Sequence, residues 1–295
     1  MTSRRQTRAA YGFLAPWLFG MVFLTVGPVL AALALSFTDY DAIGSPQLVG
    51  AENYVRAATD EQARSALSNT LFYTLMYVPA VVLVGLGVAM LLQRAGRTTG
   101  LFRTVIYLPV ITPPVATGVV FLLILNGQQG ALNNLLRALH LPAPYWTTDP
   151  DWIKPGIVIM ALWSVGSIAL ILLAALQDVP PQLVEAARVD GAGAWNRFRH
   201  VTLPMISPAL LFAAVISTIA AMQLFTEVYT MFFGTAETQP PEEAAFYVIY
   251  LFEQAFRFLN MGYASALAWL LFLVIVALTW LQLRLSRNLV HYRGS

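Results

Sequence analysis

Residues 185–204 read EAARVDGAGAWNRFRHVTLP, a polar stretch between apolar ones: Pro155–Gln177 before it and His200–Thr226 overlapping its end carry no Asp, Glu, Lys or Arg. Four further charge-free runs occupy Ala9–Thr38, Ser65–Gln93, Thr104–Leu136 and Phe258–Leu283. The shortest of the six has 23 residues, and the next longest anywhere, Ala138–Thr148, has 11. A bilayer core of about 30 Å is crossed by roughly 20 apolar residues in a helix, so the gap between 23 and 11 separates spans from loops. Only 11% of the 295 residues are charged, against about a quarter in a soluble domain. The chain therefore reads as an all-α membrane protein of six transmembrane helices, about 11–37, 67–93, 103–126, 155–176, 204–230 and 262–284.

Arginine placement orients the spans. Arg4, Arg5 and Arg8 precede helix 1; Arg94, Arg97 and Arg103 lie between helices 2 and 3; Arg188, Arg197 and Arg199 lie between helices 4 and 5; Arg284, Arg287 and Arg293 follow helix 6. These twelve share one side, and five basic residues (Arg56, Arg64, Arg137, Lys154 and Arg257) lie on the other. The positive-inside rule then predicts both termini, and the 185–204 stretch, in the cytoplasm. The outer loops are acidic, with Asp39, Asp41, Glu52, Asp60, Glu61, Asp149, Asp151, Glu237, Glu242, Glu243 and Glu253. A signal-peptide apolar region has about 7–15 residues; the first run here has 30, which predicts an uncleaved helix.

Local signals refine the map. A short interfacial helix is expected around Ala51–Ala58. Pro109, Pro113 and Pro114 remove backbone donors and should kink helix 3. Tyr145, Trp146 and Trp152 in the outer loop 127–152 fit the headgroup level, where amphipathic rings collect. The aromatic stretch Phe246–Phe258 suggests a helix lying on the outer surface.

The loop 178–203 predicts a compact helix–turn–helix. Pro180 and Pro181 suit a first turn, where a missing N–H is harmless, and Gln182–Asp190 follows as a short helix. Gly191 and Gly193 bracket a sharp turn, since glycine accepts positive φ. Ala194–Val201 forms a second short helix with Trp195 and Phe198 on one face at i, i+3, and Pro204 opens helix 5.

The loop Glu185-Ala-Ala, with Gly191 four residues after Ala187 and a Leu203-Pro204 pair ending thirteen residues further on, resembles the coupling loop of permease subunits of binding-protein-dependent ABC importers. Trp163-Ser-Val-Gly166, Leu173-Ala-Ala-Leu-Gln-Asp-Val-Pro180, Arg103-Thr-Val-Ile-Tyr-Leu-Pro109, Gln223-Leu-Phe-Thr-Glu-Val-Tyr229, Gly262-Tyr-Ala-Ser-Ala-Leu-Ala268 and Val290-His-Tyr292 are similar to the first permease of the maltose-type carbohydrate-uptake family. Val201, where that family often has Ile, and Phe233-Gly-Thr-Ala236, where Gly-Gly-Pro is usual, depart from it. The resemblance implies a single permease domain over residues 1–295 in the plasma (inner) membrane of a bacterium or archaeon. It implies a heterodimer with a second permease, two copies of a cytoplasmic ABC ATPase, an extracytoplasmic solute-binding protein, and no nucleic acid. Alternating access driven by ATP would carry a sugar or sugar-like solute inward, most readily a di- or oligosaccharide; monosaccharides and glycerol phosphates stay open.

Under that resemblance Glu185, Ala186, Ala187, Asp190, Gly191, Trp195, Phe198, Leu203 and Pro204 form the ATPase-coupling set. Ala186 and Ala187 permit close approach, and Glu185 supplies a charge for a partner arginine. A nucleotide-binding P-loop needs a lysine to reach the β- and γ-phosphates, and the single lysine, Lys154, lies in an outer Asp-Trp-Ile-Lys-Pro context. ATP and Mg are thus expected on the partner subunits, with no cofactor on this chain. Candidate solute contacts are polar or aromatic residues in the spans: Trp163, Ser164 and Ser167 in helix 4, and Ser217, Gln223 and Glu227 in helix 5. Ser217 lies 13 residues past Pro204, about 20 Å up the helix, near the midplane. Glu227 lies about 35 Å up by the same rise, and Gln223 and Glu227 share a face at i, i+4. Asn69, Tyr77 and Asn126 are weaker candidates.

Other functions meet obstacles. With no cysteine and only His140, His200 and His291, neither thiolate chemistry nor a HExxH metal site is available, and no Gly-x-Ser-x-Gly elbow occurs. No catalytic or metal-binding residue is assigned. A stand-alone secondary transporter or channel has no use for the 178–203 loop, and a regulatory scaffold leaves the polar span residues unexplained.

Overall fold

The computed structural model describes residues 4–94, 99–234 and 240–287. Arg97, Glu237, Thr235-Ala236, Val290-His-Tyr292 and Arg293 lie outside the described residues. In chain order the helices begin with α1 (Arg4–Gly20) and α2 (Gly27–Leu35), joined by a π-helical stretch, Met21–Val26. A two-residue antiparallel pair follows, β1 (Thr38–Asp39) with β2 (Gln47–Leu48), Thr38 opposite Leu48; the wholly helical reading missed it. Next come α3 (Glu52–Thr59), the short helix expected near 51–58, and α4 (Glu61–Arg94). Then come α5 (Thr99–Ile111), α6 (Pro114–Ile124), α7 (Ala131–Ala138), α8 (Pro150–Leu162) and α9 (Gly166–Gln177). The chain continues through α10 (Pro181–Val189), α11 (Ala194–Arg197), α12 (Leu203–Met222) and α13 (Thr226–Phe232), and closes with α14 (Tyr247–Phe252) and α15 (Met261–Ser286).

Four stretches are long and apolar enough to cross a membrane unbroken: Tyr11–Leu35, Glu61–Arg94, Ala194–Met222 and Met261–Ser286. Two more qualify only as bent pairs, α5 with α6 at 95° and α8 with α9 at 56°. The span count is therefore four, or six if each bent pair is one span.

Three expectations about the spans are corrected. Helix 3 is broken rather than kinked. Pro113 and Pro114 lack N–H groups, and the chain turns through a short bond from Thr112 N–H to the Pro109 carbonyl. Helix 4 is not continuous over 155–176. Its turn at residues 163–165 is held by i→i+3 bonds from Trp163, Ser164 and Val165 to Met160, Ala161 and Leu162. No proline lies there. Instead Gly166 presses on the chain of α5, where a Cβ would sit 2.3 Å from the Ile106 carbonyl oxygen. Helix 5 stops at Met222 and resumes as α13, so Gln223 and Glu227 do not share one helix and the 35 Å rise to Glu227 does not apply.

Segments between the spans differ too. Trp146 is buried, not interfacial, because Asn133 takes its indole N–H at 2.7 Å while giving its own amide to the Gly127 and Pro144 carbonyls. Tyr145 and Trp152 are exposed. The 246–258 stretch is helical, but Phe246, Tyr247, Ile249 and Tyr250 are buried.

The chain divides into two packed units, Met1–Arg64 with Tyr250–Phe272 and Ser65–Ile249 with Leu273–Ser295. In the first, Asp60 caps α4. Its Oδ1 accepts the N–H groups of Gln62 and Ala63, and its Oδ2 accepts the hydroxyls of Tyr250 and Tyr263 at 2.5 and 2.7 Å. The Arg56 guanidinium stacks 4.1 Å above the Tyr263 ring. The second unit holds two hydrophobic cores. One gathers Val81, Leu86, Ala89 and Leu92 of α4, Ile168 to Leu176 of α9, and Ile206 and Ala213 of α12, with Phe198 against it. The other gathers Tyr73 of α4, Phe121 of α6 with Leu125 just past it, Trp146, four residues of α8, and Ala221, Val228, Met231, Phe232, Ala244, Phe246 and Ile249.

Candidate functional site

The 178–203 loop forms a knob. Pro180 stands just before α10 and Pro181 begins it. The helix ends as Asp190 N–H reaches the Ala186 carbonyl and Ala192 N–H reaches that of Ala187. Gly191 has φ +79, the left-handed turn that favours glycine. Gly193 does not: at φ −63 and ψ 166 it is extended and precedes α11, so a single glycine makes the turn.

The knob's second arm is not a separate helix. From Ala194 the backbone continues to Met222 as one 29-residue rod. A π-helical stretch at Phe198–Thr202 widens the turn, and Leu203 N–H donates to the Phe198 carbonyl. Pro204 thus lies inside the rod, one step past the widened turn, where its missing N–H is tolerated. Further along, Pro208 removes another donor, and the Ser207 hydroxyl covers the Pro204 carbonyl at 2.7 Å. The second arm of the knob and the far end of α12 thus belong to one continuous helix.

The knob presents both charge and apolar surface. Glu185, Ala186, Asp190, Gly191 and Trp195 are exposed, and Ala187, Phe198, Leu203 and Pro204 are partly buried. Val189 is 87% exposed and Trp195 67%, beside an exposed Leu183. The Trp195 and Phe198 rings meet at 5.7 Å, as their spacing predicts, and Phe198 turns on toward the core. Among the described residues no ion pair joins Glu185 to Arg188, which leaves the Glu185 carboxylate in water.

The predicted solute contacts cluster at span breaks. Trp163 is 52% exposed and lies with exposed Ser164 in the 163–165 turn; Ser167 is partly buried as the second residue of α9. Gln223 is exposed at the break between α12 and α13, and Glu227 lies in the first turn of α13. Helix α6 brings these segments together. Phe121 meets Trp163 edge-on at 6.0 Å, and one turn earlier a Cβ on Gly118 would sit 2.8 Å from the Glu227 carbonyl oxygen. Ser217 is placed differently. It is 3% exposed, and its Oγ is buried without a hydrogen-bond partner.

Sequence reasoning undervalued the aromatics around Glu227. Tyr73 and Tyr77 stack at 5.5 Å. Tyr229 stacks between Phe225 and Phe233. The i, i+4 spacing of each pair was a readable signal for stacking. Asn69 and Asn126, by contrast, have structural work. Asn69 donates to the Glu242 and Ala245 carbonyls, and Asn126 accepts from Gln128 and Gln129 N–H.

Known proteins resemble the chain over most of its length. A family model described as the binding-protein-dependent transport system inner membrane component matches residues 81–291. A probable ABC transporter permease protein, YesP, of Bacillus subtilis (strain 168) is 35% identical, over 99% of this chain and 94% of its own length. The lactose transport system permease protein LacF of Rhizobium radiobacter is 33% identical, over 97% of this chain and 98% of its own. A chain of a solved bacterial alginate ABC transporter, in complex with an alginate pentasaccharide-bound periplasmic protein, superposes with a TM-score of 0.79 at 21% identity, covering 97% of this chain and 96% of that one.

Proposed function

The chain belongs to the family of binding-protein-dependent transport system inner membrane components, and from that premise we propose that it is the permease subunit of an ATP-driven sugar importer whose α10–α11 knob docks the ATPase. Residues 1–295 are read as a single permease domain with both termini and the knob in the cytoplasm, from the twelve-to-five arginine and lysine asymmetry. Its partners are a second permease, two copies of an ABC ATPase carrying ATP and Mg, and an extracytoplasmic solute-binding protein. The solute is a di- or oligosaccharide, in keeping with the lactose named for one relative and the alginate pentasaccharide named for one structure.

The observation that carries this reading is the continuity of the rod Ala194–Met222 with an exposed apolar and acidic knob at its foot. ATP-driven motion of the ATPase would enter at Leu183, Glu185, Val189 and Trp195 and travel up α12. At the top, the breaks around Trp163, Ser164 and Gln223 leave polar side chains and shortened backbone turns in an apolar span. Discontinuous helices are a recurring way of binding polar solutes in transporters. An aromatic face at Trp163 would pack on sugar C–H groups, and Ser164, Ser167, Ser217, Gln223 and Glu227 would meet hydroxyls.

The docking can be tested on one thiol, because the chain has no cysteine. With Val189→Cys in the permease pair, maleimide labelling should slow about tenfold once the ATPase binds, as expected for a group in the dry centre of an interface. An unchanged rate with the ATPase demonstrably bound would remove the knob from the interface.

A further inference from the structure

The two cores of the second unit meet at a seam, and each chain segment that crosses it carries a flaw at the crossing. In α4, Tyr73 belongs to one core and Val81 to the other; Tyr77 touches both. Pro79 lies between them and leaves the Leu75 carbonyl without its helical donor. The pair α8–α9 crosses just past Leu162, which also touches both cores, at the 56° turn. The pair α5–α6 crosses at the 95° turn, with Ile106 against one core and Phe121 in the other.

The fourth crossing is the rod itself. On one face of α12, Ala213 belongs to the core beside the knob and Ala221 to the far core, and Ser217 lies midway between them at i+4. Ser217 keeps helical geometry but carries a buried hydroxyl with no partner. A buried polar group left unpaired costs about 1–3 kcal/mol, and such a group in a native structure calls for an explanation. One hydroxyl that is unsatisfied in this state and satisfied in another is such an explanation, and it lies between the two cores, as the two bent turns and Pro79 do.

We propose that this seam is a hinge plane: the knob-side core, with α9, the lower part of α12 and the knob, tilts as a body against the far core, the two bent turns absorb most of the motion, and α4 and α12 flex at Pro79 and Ser217. The tilt opens the surface between Trp163, Ser217 and Gln223 and gives the Ser217 hydroxyl a partner. Close-packed cores are not continuously deformable, so motion concentrated where two segments are bent, α4 lacks a donor at Pro79 and α12 carries an unpaired hydroxyl strains neither core. The proposal rests on the transport reading, because the motion needs a motor.

Spin labels on the cysteine-free chain, in the complete complex, test it by double electron–electron resonance without nucleotide and with ATP and orthovanadate. The pairs Val105→Cys/Leu123→Cys and Phe212→Cys/Leu123→Cys span the seam, and Leu91→Cys/Phe212→Cys lies on helices of the knob-side core; all four positions are exposed. A tilt of about 15°, swung over a half-span of about 16 Å at 1.5 Å per residue, moves its far end by about 4 Å. Both seam-spanning distances should shift by that order, and the third should hold. Pro113→Ala, which restores an N–H at one crossing, should shrink the first shift while the complex still assembles. Fixed seam distances, or a third pair that moves as much, overturn the hinge. A label at Val189→Cys separates the two claims: if it responds to ATP while the seam stays fixed, the hinge alone fails; if nothing responds, the transport reading fails with it.

Discussion

Single residues carry most of the chemistry. Glu185 stands in water with no ion pair to Arg188. A carboxylate buried against a partner's arginine contributes little net energy, but losing it strands the other charge at about 3–5 kcal/mol, roughly a hundredfold or more in an equilibrium. Glu185→Ala should therefore abolish most sugar-stimulated ATP hydrolysis while the subunit stays in the membrane; normal coupled transport would exclude the role. Ser217 makes a different prediction. Removing an unsatisfied buried hydroxyl relieves a cost, so Ser217→Ala should leave the melting temperature unchanged or raised. Losing one hydrogen bond to the solute, about 0.5–1.5 kcal/mol, should raise the apparent KM for sugar uptake by roughly two- to twelvefold. A destabilised variant with unchanged KM would make Ser217 a packing residue only. The depth of Ser217 was legible by counting from Pro204, because helical rise is fixed. Its burial was not, because that depends on which face of α12 meets the cores.

At the scale of elements, proline told part of the story. Pro113 and Pro114 marked the third span as interrupted, since a missing donor is visible in sequence. The break at residues 163–165 was invisible, because no proline marks it, and the packing of Gly166 on the α5 backbone beside it is tertiary. Pro204 misled in the opposite direction: it looked like a helix start, yet the π-helical stretch before it lets the rod run through. Another junction rests on Asp60 at the head of α4. Partial burial pushes its carboxyl up, but the Tyr250 and Tyr263 hydroxyls and the Ala63 and Gln62 N–H groups outweigh that and hold it below the usual aspartate value. A depressed acid stabilises the fold above its ordinary pKa of about 3.9, and the contribution is lost as pH falls through the lower, folded value. Thermal stability of the detergent-solubilised protein should be flat in this respect near neutrality and fall below about pH 4. Asp60→Asn should lower the melting temperature by a few degrees at pH 7 and flatten that acid decline; an unaltered acid limb would assign it to other groups.

The whole molecule joins a knob, a rod and a set of interrupted spans. The six charge-free runs coincide with four unbroken apolar helices and two bent pairs, because apolar length is what a bilayer demands. The arrangement of the breaks around α6 was not readable, because Phe121, Gly118 and Trp163 are brought together only by packing. What the parts do together is best measured as ATP hydrolysis by the chain assembled with its partner permease and ATPase in lipid, with and without a binding protein loaded with a disaccharide or oligosaccharide. The account predicts that the loaded binding protein stimulates hydrolysis and that Glu185→Ala removes the stimulation. Hydrolysis indifferent to every loaded binding protein, with all components folded and assembled, would contradict it.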